Sequence, residues 1–300
     1  MNNSNRWVLY GMLLTVSIIW GSSFAFMKHA VREVSPFVVV LFRAGGASLL
    51  FAITLLFLGS QAKLYRRDVP LFFLLGMISV SLFMPLQVVG VSFTYAVHAS
   101  LIIALSPLAA TLIAWFLGWQ KMRMGICIGL ALAFSGVAVV ATQALGSSGS
   151  GSNVLLGDSL MFLSAIFWAA FTLLGSKIMQ RYRPLVAVAY IHFFGFAQLL
   201  VVFLFYPEMG GQVYRELSGA SASTWAILLG LAILSSYYAF IVWYRGVETI
   251  GPVRTAVFQY FNPLFGSIAA IIILNEPVSI FLALGGILIV GGVFLANKYR

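Results

Sequence analysis

The chain has 300 residues, of which 62% are hydrophobic and only 8% are charged, with a mean hydropathy of +1.04. A soluble domain carries about 25% charged residues, so this composition excludes a soluble fold and indicates helices in lipid. The net charge of +10 reflects basic residues in short loops, which favours the positive-inside bias of membrane proteins over nucleic-acid binding. The single cysteine, Cys127, lies in an apolar run and has no intrachain partner.

Ten apolar segments follow one another along the chain, each long enough to cross a bilayer as a helix. We number them one to ten; they cover residues 7–28, 35–59, 70–91, 96–118, 122–143, 156–177, 184–206, 223–244, 252–274 and 277–297. No small-residue cleavage site precedes Lys28, so the first segment is interpreted as a retained helix and not as a signal peptide. The sequence therefore predicts an all-α membrane protein with ten transmembrane helices.

The stretch 144–155 divides the chain almost in half and is rich in glycine and serine, which is typical of a flexible linker. We predict a five-helix unit over 1–143, the linker over 144–155 and a second five-helix unit over 156–300. The other long connection, 207–222, contains the charged residues Glu208, Arg215 and Glu216.

Lysine and arginine are distributed unequally between the two sides of the predicted membrane domain. With the N-terminus in the cytoplasm, 13 of them fall on the cytoplasmic side and 3 on the outer side, with Arg43 inside a span. This asymmetry predicts that both termini are cytoplasmic, and an even number of spans agrees with it. We expect a multi-pass protein of a bacterial inner (plasma) membrane.

Residues of the two halves match at fixed offsets. Pairs that lie 156 residues apart are Gly90 and Gly246, Pro107 and Pro263, Gly129 and Gly285, and Gly136 and Gly292; at an offset of 148, Trp20 matches Trp168. An odd number of spans in each half inverts the second half relative to the first. The pattern therefore predicts two inverted five-helix repeats, an architecture of many secondary transporters.

Short motifs in several spans carry a resemblance to a known family. They are Trp20-Gly21-Ser22-Ser23-Phe24, Phe42-Arg43, Ala104-Leu105-Ser106-Pro107, Phe261-Asn262-Pro263 and Asn275-Glu276-Pro277. In this order and spacing they resemble the EamA family of the drug/metabolite transporter superfamily over nearly the whole chain. The resemblance implies a ten-helix transporter with a central cavity between its halves, often an exporter of amino acids or other small metabolites. The chain departs from the repeated pattern at Gln120-Lys121, where the second half has Glu276-Pro277.

Two prolines lie near the middle of spans four and nine, at matching positions. Pro107 and Pro263 each lack a backbone N–H and displace the carbonyl four residues earlier, which belongs to Ile103 or Gln259. A free carbonyl at membrane depth must find a partner or line a wet cavity. We predict helix breaks beside a central site, the alternative being kinks that only shape packing.

Polar and aromatic residues inside the spans are the candidates for contact with a substrate. Gln259 and Asn262 share one face of span nine and must face protein or water, either to bind substrate or to hydrogen-bond a neighbouring helix. The matched Trp20 and Trp168 either stack on a substrate or fill the core. The predicted cavity residues are Trp20, Gln87, His98, Ser106, Trp168, Tyr237, Tyr238, Gln259 and Asn262.

Few ionisable residues lie within the spans. Arg43 needs a partner there, and Glu276 in the turn between spans nine and ten is predicted to form a gating or structural ion pair with it. His98 and His192 are candidates for carrying a coupling proton or for polar packing. No Asp or Glu falls at mid-span, which argues for facilitated exchange or for coupling through histidine.

The predicted function is alternating access by a secondary transporter, with a small-molecule substrate and the lipid bilayer as its partners. Drug or other metabolite efflux is one alternative, and a non-transporting sensor or assembly subunit is another. An enzyme is disfavoured because neither a nucleophile with its base nor the spacing of metal ligands is present, so no catalytic residue, metal or cofactor is expected. Gly125 and Gly129 form a GxxxG motif that serves internal packing or a dimer face, so we expect a monomer or weak homodimer.

Overall fold

The structure is a computed structural model that describes residues 3–59, 63–145, 151–179, 181–205, 208–251, 255, 257–276 and 279–298. Every regular element in these residues is helical, so the all-α prediction is confirmed for them. Eight helical segments are long and apolar enough to cross a membrane, and two shorter apolar helices, Met124–Val140 and Ile280–Ala296, accompany them. The eight are Trp7–Ala30, Pro36–Leu58, Arg66–Phe93, Ala96–Phe116, Asn153–Ser176, Pro184–Phe203, Ala222–Ile250 and Val257–Leu274.

The α-helices are numbered here in chain order. They are α1 Asn3–Ala30, α2 Pro36–Leu58, α3 Val69–Gly76, α4 Phe83–Phe93, α5 Ala96–Ile103, α6 Ser106–Phe116, α7 Met124–Leu145, α8 Gly151–Met179, α9 Pro184–Leu204, α10 Glu208–Gly219, α11 Ala222–Gly230, α12 Ala239–Ile250, α13 Asn262–Leu274 and α14 Ile280–Lys298. Prolines are the first residues of α2 and α9. No helical hydrogen bond is lost there, because N–H groups in the first turn have no intrahelical acceptor. Asn275 ends α13 in the left-handed conformation at φ 54°.

Two π-helical segments, which the sequence did not predict, join neighbouring α-helices into longer spans. Met77–Leu82 connects α3 to α4, and Leu231–Tyr238 connects α11 to α12. Such segments shift the backbone hydrogen-bond ladder and are frequent at functional sites. The second one turns the hydroxyls of Ser235 and Ser236 towards the guanidinium of Arg43.

Pro107 and Pro263 do not kink continuous helices. Each lies in the first turn of a new helix: α6 begins at Ser106 and α13 begins at Asn262. Residues 104 and 105 form a turn before α6, and the 3₁₀ segment Val257–Phe261 precedes α13. Both spans are therefore interrupted at matching positions.

Glycine pairs bring α7 and α14 into close contact. A methyl group on Gly129 would lie 2.5 Å from the carbonyl oxygen of Gly292, and one on Gly136 would lie 2.6 Å from that of Gly285. Such small residues allow helix backbones to approach closely in lipid. Gly21 similarly lets α1 approach α13, since its added methyl would lie 2.6 Å from the carbonyl oxygen of Asn262.

The long connection 207–222 contains the helix α10. Its side chains Val213 and Leu217, four residues apart, pack against the hydrophobic core. The carboxylate of Glu216 accepts hydrogen bonds from Gln212 on the same helix and from the backbone N–H of Ser35. The helix α10 is too short to span a membrane, and its amphipathic pattern lets it pack one face against the bundle.

The bundle has two ends with different polar contacts. At the first, which we call the Lys28 end, Lys28 donates to the carbonyl of Thr94 and lies 3.9 Å from Glu276. At the other, the Asp68 end, Asp68 accepts hydrogen bonds from Arg181 at 2.9 Å and from Tyr182 at 2.8 Å. The candidate site lies between these ends.

Candidate functional site

A central cavity with about 40 Å³ of free space lies between helices from both halves of the chain. This free space is smaller than that of most small-molecule pockets, about 300–1,000 Å³, so a substrate requires the cavity to widen. Its lining residues are Trp20, Ser23, Phe24, Arg43, Phe83, Gln87, Ile103, Ala104, Ser106, Trp168, Phe240, Gln259 and Asn262. The first nine come from the half before the linker and the last four from the half after it.

Arg43 is the cationic residue of this lining, and its side chain is only 3% exposed. Its Nε donates to the hydroxyl of Ser236 at 2.9 Å, and one terminal nitrogen donates to the amide oxygen of Gln87 at 2.6 Å. Weaker contacts reach the Met27 sulfur at 3.3 Å and the Ser235 hydroxyl at 3.5 Å. The guanidinium is therefore held in place by uncharged groups.

Aromatic rings form one wall of the cavity. The rings of Trp20 and Trp168 meet edge to face with centroids 5.5 Å apart, and Phe240 lies 5.7 Å from both. Phe83 packs on Trp168 at 5.2 Å. The indole N–H of Trp20 donates to the carbonyl of Ser235 at 2.9 Å, which fixes the ring plane. The wall thus offers a rigid apolar surface.

Amide and hydroxyl groups form the polar part of the cavity lining, beside the two helix breaks. Ser106 follows the turn at residues 104 and 105, and Asn262 follows the 3₁₀ segment that contains Gln259. The Oδ1 atom of Asn262 is buried and has no hydrogen-bond partner among the described residues. A buried amide oxygen without a partner is costly, so Asn262 is suited to receive a donor from a bound molecule.

Six of the nine predicted substrate residues lie in this lining: Trp20, Gln87, Ser106, Trp168, Gln259 and Asn262. The hydroxyl of Tyr237 instead pairs with Thr54 at 2.6 Å, and that of Tyr238 pairs with Thr15 at 3.0 Å. The prolines start the helices beside the cavity and are not among its lining residues.

The two histidines occupy different surroundings, neither in the lining. His98 at the Lys28 end lies 3.2 Å from the carboxylate of Asp158, which also accepts from the hydroxyl of Thr94. His192 packs its ring between Phe51 and Phe240, each with its centroid 5.0 Å away. Its Nδ1 donates to the carbonyl of Val188 in its own helix at 3.0 Å, and its Nε2 is buried without a hydrogen-bond partner among the described residues.

The predicted ion pair between Arg43 and Glu276 is not formed. Glu276 accepts the backbone N–H groups of Ala96 and Val97 at 2.8 and 3.0 Å, at the start of α5. Its nearby cation is Lys28. The prediction failed because α5 begins at the same end of the bundle as Glu276. The free N–H groups at a helix N-terminus need acceptors and stabilise a carboxylate.

Several lining residues were not predicted as site residues. Ser23 and Phe24 belong to the first motif, and Ile103 and Ala104 flank the first helix break, so both pairs had a signal in the sequence. Phe83 and Phe240 had none, because nothing distinguishes them among the 26 phenylalanines before the helices are packed. Across the described residues, no group of three or more His, Cys, Asp or Glu side chains could hold a metal ion.

The fold and the cavity define the class of this protein: a multi-pass helical membrane protein with a polar and aromatic cavity between its halves. The model of the EamA-like transporter family matches residues 6–142 and 155–298. The chain therefore belongs to the EamA-like transporter family, as its motifs indicated, and is a membrane transporter.

Relatives and a solved structure agree with this assignment. The chain is 30% identical over 286 residues to an uncharacterized transporter of Archaeoglobus fulgidus, covering 95% of this chain and 96% of that protein. It is 28% identical to the uncharacterized transporter YyaM of Bacillus subtilis, covering 96% and 93% of the two chains. A crystal structure matches with a TM-score of 0.64 at 17% identity over 96% of each chain, a likeness in fold alone.

Proposed function

We propose that the protein is a secondary transporter that exports small metabolites, with amino acids as the leading substrate class, by alternating access. The observation that carries the proposal is the central cavity, which helices of both halves enclose and which combines an aromatic wall with amide groups and one cation. Such a mixture suits a small molecule with an apolar body and a polar head. The export direction rests on the family resemblance.

The proposed architecture is ten transmembrane helices in two inverted repeats, 1–143 and 156–300. Of the predicted linker 144–155 between them, residues 144–145 end α7, residues 151–155 begin α8, and 146–150 lie outside the described residues. Crossed glycine contacts support this architecture: Gly129 meets Gly292, and Gly136 meets Gly285, whereas the sequence matches pair Gly129 with Gly285 and Gly136 with Gly292. Two units related by a two-fold axis make such reciprocal contacts. The paired helix breaks and the two matches of the family model also support the repeat.

We place both termini in the cytoplasm and the protein in a bacterial plasma membrane. The support is the distribution of 13 basic residues on one side and 3 on the other. On this orientation the Lys28 end faces outward. A monomer suffices for the proposed mechanism, and the use of Gly129 inside the fold supports internal packing over a dimer face.

Efflux of drugs or other metabolites is the second candidate within the same class. A cationic drug would favour a carboxylate in the cavity, and none occurs among the described lining residues. A non-transporting sensor or assembly subunit is the alternative of another class, and the transport assay below separates it from both.

The test is counterflow in proteoliposomes. Vesicles loaded with a mixture of unlabelled amino acids should take up labelled amino acids, and Asn262→Ala should weaken that uptake because it removes the unpaired amide from the cavity. We expect at least a tenfold loss of exchange, on the scale of about 1.5 kcal/mol for an interaction with a buried polar group.

Gln212→Ala is the matched control, since it removes an amide from the exposed face of α10, away from the cavity. Unchanged exchange in Asn262→Ala would reject the assigned site while retaining transport. No exchange of any amino acid by folded protein would reject the amino-acid class, and the same assay with drugs and other metabolites would follow. If nothing is exchanged, the transporter mechanism itself fails.

A further inference from the structure

In the described part of the chain, the charge of Arg43 has no acidic counterpart. Its contacts are the two hydroxyls of Ser235 and Ser236, the Gln87 amide oxygen and the Met27 sulfur. Among the described residues, no carboxylate oxygen lies within 4.0 Å of its guanidinium, as the ion pairs of the structure all involve other cations. A buried cation that contacts only neutral groups lacks a compensating charge, so its surroundings favour the binding of an anion.

The buried acids of the described chain are all engaged elsewhere. Asp158 accepts from Thr94 and lies beside His98, and Asp68 binds Arg181 and Tyr182 at the Asp68 end. Glu276 accepts the N–H groups that open α5. None of the three is in the cavity lining. Bringing any one of them to Arg43 would break the contacts that it already makes.

We propose that the cavity binds an organic carboxylate whose anionic group pairs with Arg43 and whose apolar, preferably aromatic, body packs on the wall formed by Trp20 and Trp168. This inference rests on the proposed transport function and specifies its substrate class. An α-ammonium group is not required of the substrate, because the cavity supplies no carboxylate to receive it. Amino acids are then one subset of a wider class of aromatic and apolar monocarboxylates.

The geometry of the guanidinium supports this pairing. Arginine offers five N–H donors in a planar fork that fits the two oxygens of a carboxylate. Nε and one terminal nitrogen are held by Ser236 and Gln87, which orients the fork, whereas the contact to Ser235 at 3.5 Å is long and easily exchanged for a ligand. Ser236 and Gln87 thereby act as positioning residues for the cation.

Three related compounds separate the carboxylate from the ammonium: phenylalanine, its deaminated analogue 3-phenylpropionate and its decarboxylated analogue phenethylamine. Their binding to purified protein in detergent at pH 7 is measured by titration calorimetry. We expect 3-phenylpropionate to bind within about tenfold of phenylalanine or more tightly, and phenethylamine to bind at least a hundredfold more weakly, which is the loss of a charge-assisted pair.

Arg43→Gln should lower the affinity for 3-phenylpropionate by about tenfold to a hundredfold, and Arg43→Lys should lose less because it keeps the charge. Arg32→Gln is the matched control, since it removes an exposed arginine just beyond α1. If Arg43→Gln does not fold, the three compounds on the unaltered protein still decide the question.

The inference is overturned if phenethylamine binds as well as the carboxylates, if neither carboxylate binds, or if folded Arg43→Gln binds 3-phenylpropionate with unchanged affinity. Failure of the proposed function looks different. A carboxylate that binds through Arg43 but is never exchanged in proteoliposomes would retain this inference and reject transport. Exchange restricted to amines would reject the inference and retain transport.

Discussion

Glu33, in the connection between α1 and α2, joins that connection to the start of α11 through a single serine. Its two carboxylate oxygens accept the backbone N–H and the hydroxyl of Ser221, each at 2.9 Å. Ser221 in turn caps α11, because its Oγ accepts the N–H of Thr224 at 3.2 Å. The hydrogen bond from the Ser221 backbone, followed by that from its hydroxyl, lowers the pKa of Glu33 below its ordinary 4.5.

This shift predicts a pH dependence for the link. Because the pKa of Glu33 is lower in the folded protein, the ionised carboxylate contributes stability above pH 4.5, and that contribution is lost as the pH falls through the folded pKa. Glu33→Gln should therefore lower the thermal unfolding temperature in detergent at pH 7, and the difference from the unaltered protein should shrink below pH 4.5.

The matched control is Glu248→Gln, which removes an exposed acid at the other end of the bundle. Its unfolding temperature should follow that of the unaltered protein at every pH. A difference between Glu33→Gln and the unaltered protein that persists undiminished at low pH would contradict the role of the carboxylate charge.

Individual residues were predictable where the sequence constrains both position and chemistry. The amides of Gln259 and Asn262 had to avoid lipid, and the structure places both in the cavity lining. The partner of Arg43 was not predictable, because it depends on which groups neighbouring helices bring within about 3 Å of its donors. The hydroxyls of Ser235 and Ser236 reach it from a helix that begins some 180 residues later in the chain.

At the scale of elements, the contact between α7 and α14 depends on glycines that face each other. An added methyl on Gly292 would lie 2.5 Å from the carbonyl oxygen of Gly129 and 2.6 Å from the N atom of Ala133. Both are backbone atoms, which cannot move aside as a flexible side chain can. The adjacent Gly291, on the same helix, has nothing within 4 Å of its added methyl.

This pair of neighbouring glycines predicts opposite results for the same substitution. Gly292→Ala should destabilise the protein by about 1–3 kcal/mol, since it forces the two backbones apart. Gly291→Ala should be neutral or stabilise by up to about 1 kcal/mol, because alanine is the better helix former. The measurement is thermal or denaturant unfolding in detergent, and equal effects at the two positions would show that α7 and α14 do not pack through Gly292.

Helix boundaries at prolines were predictable, and the π segments were not. Pro107 and Pro263 fix their own φ and lack a donor, so the sequence predicted a break or a kink at each position, and the structure shows a new helix beginning there. The segments Met77–Leu82 and Leu231–Tyr238 contain ordinary helix-forming residues. These residues carry no local signal for the shifted hydrogen bonds of a π segment.

At the scale of the whole molecule, the polar contacts of the Lys28 end connect four parts of the chain. Lys28 of α1 contacts Thr94 before α5, Thr94 donates to Asp158 of α8, and Glu276 after α13 binds the start of α5. In the proposed alternating access, opening the cavity at this end would require these contacts to separate. The Asp68 end would open by separating Asp68 from Arg181 and Tyr182.

Alternating access predicts that one buried position in the cavity reacts from each side of the membrane in turn. Ser23→Cys, in a background with the exposed Cys127 replaced by alanine, places a thiol in the lining. An impermeant thiol reagent should modify it from either side of oriented vesicles, at rates that a saturating substrate changes by at least about fivefold through a shift in the conformational equilibrium.

The control is Ser159→Cys on the exposed face of α8, whose reactivity should not respond to substrate. Reaction of Ser23→Cys from one side only, under all conditions including a substrate gradient, would contradict alternating access. Such a result would favour a protein that binds a solute without moving it.

By itself the sequence determined that the chain lies in a membrane, where its apolar helices run, where prolines interrupt the hydrogen-bond pattern of two of them and which family it belongs to. These properties follow from local composition, proline chemistry and motif order, which need no knowledge of neighbours. Only the tertiary structure decided which side chains meet: the aromatic wall that includes Phe83 and Phe240, the neutral contacts around Arg43 and the place of Glu276 on α5. The physical reason is that such contacts act over a few ångströms between residues far apart in the chain, so packing alone brings them together.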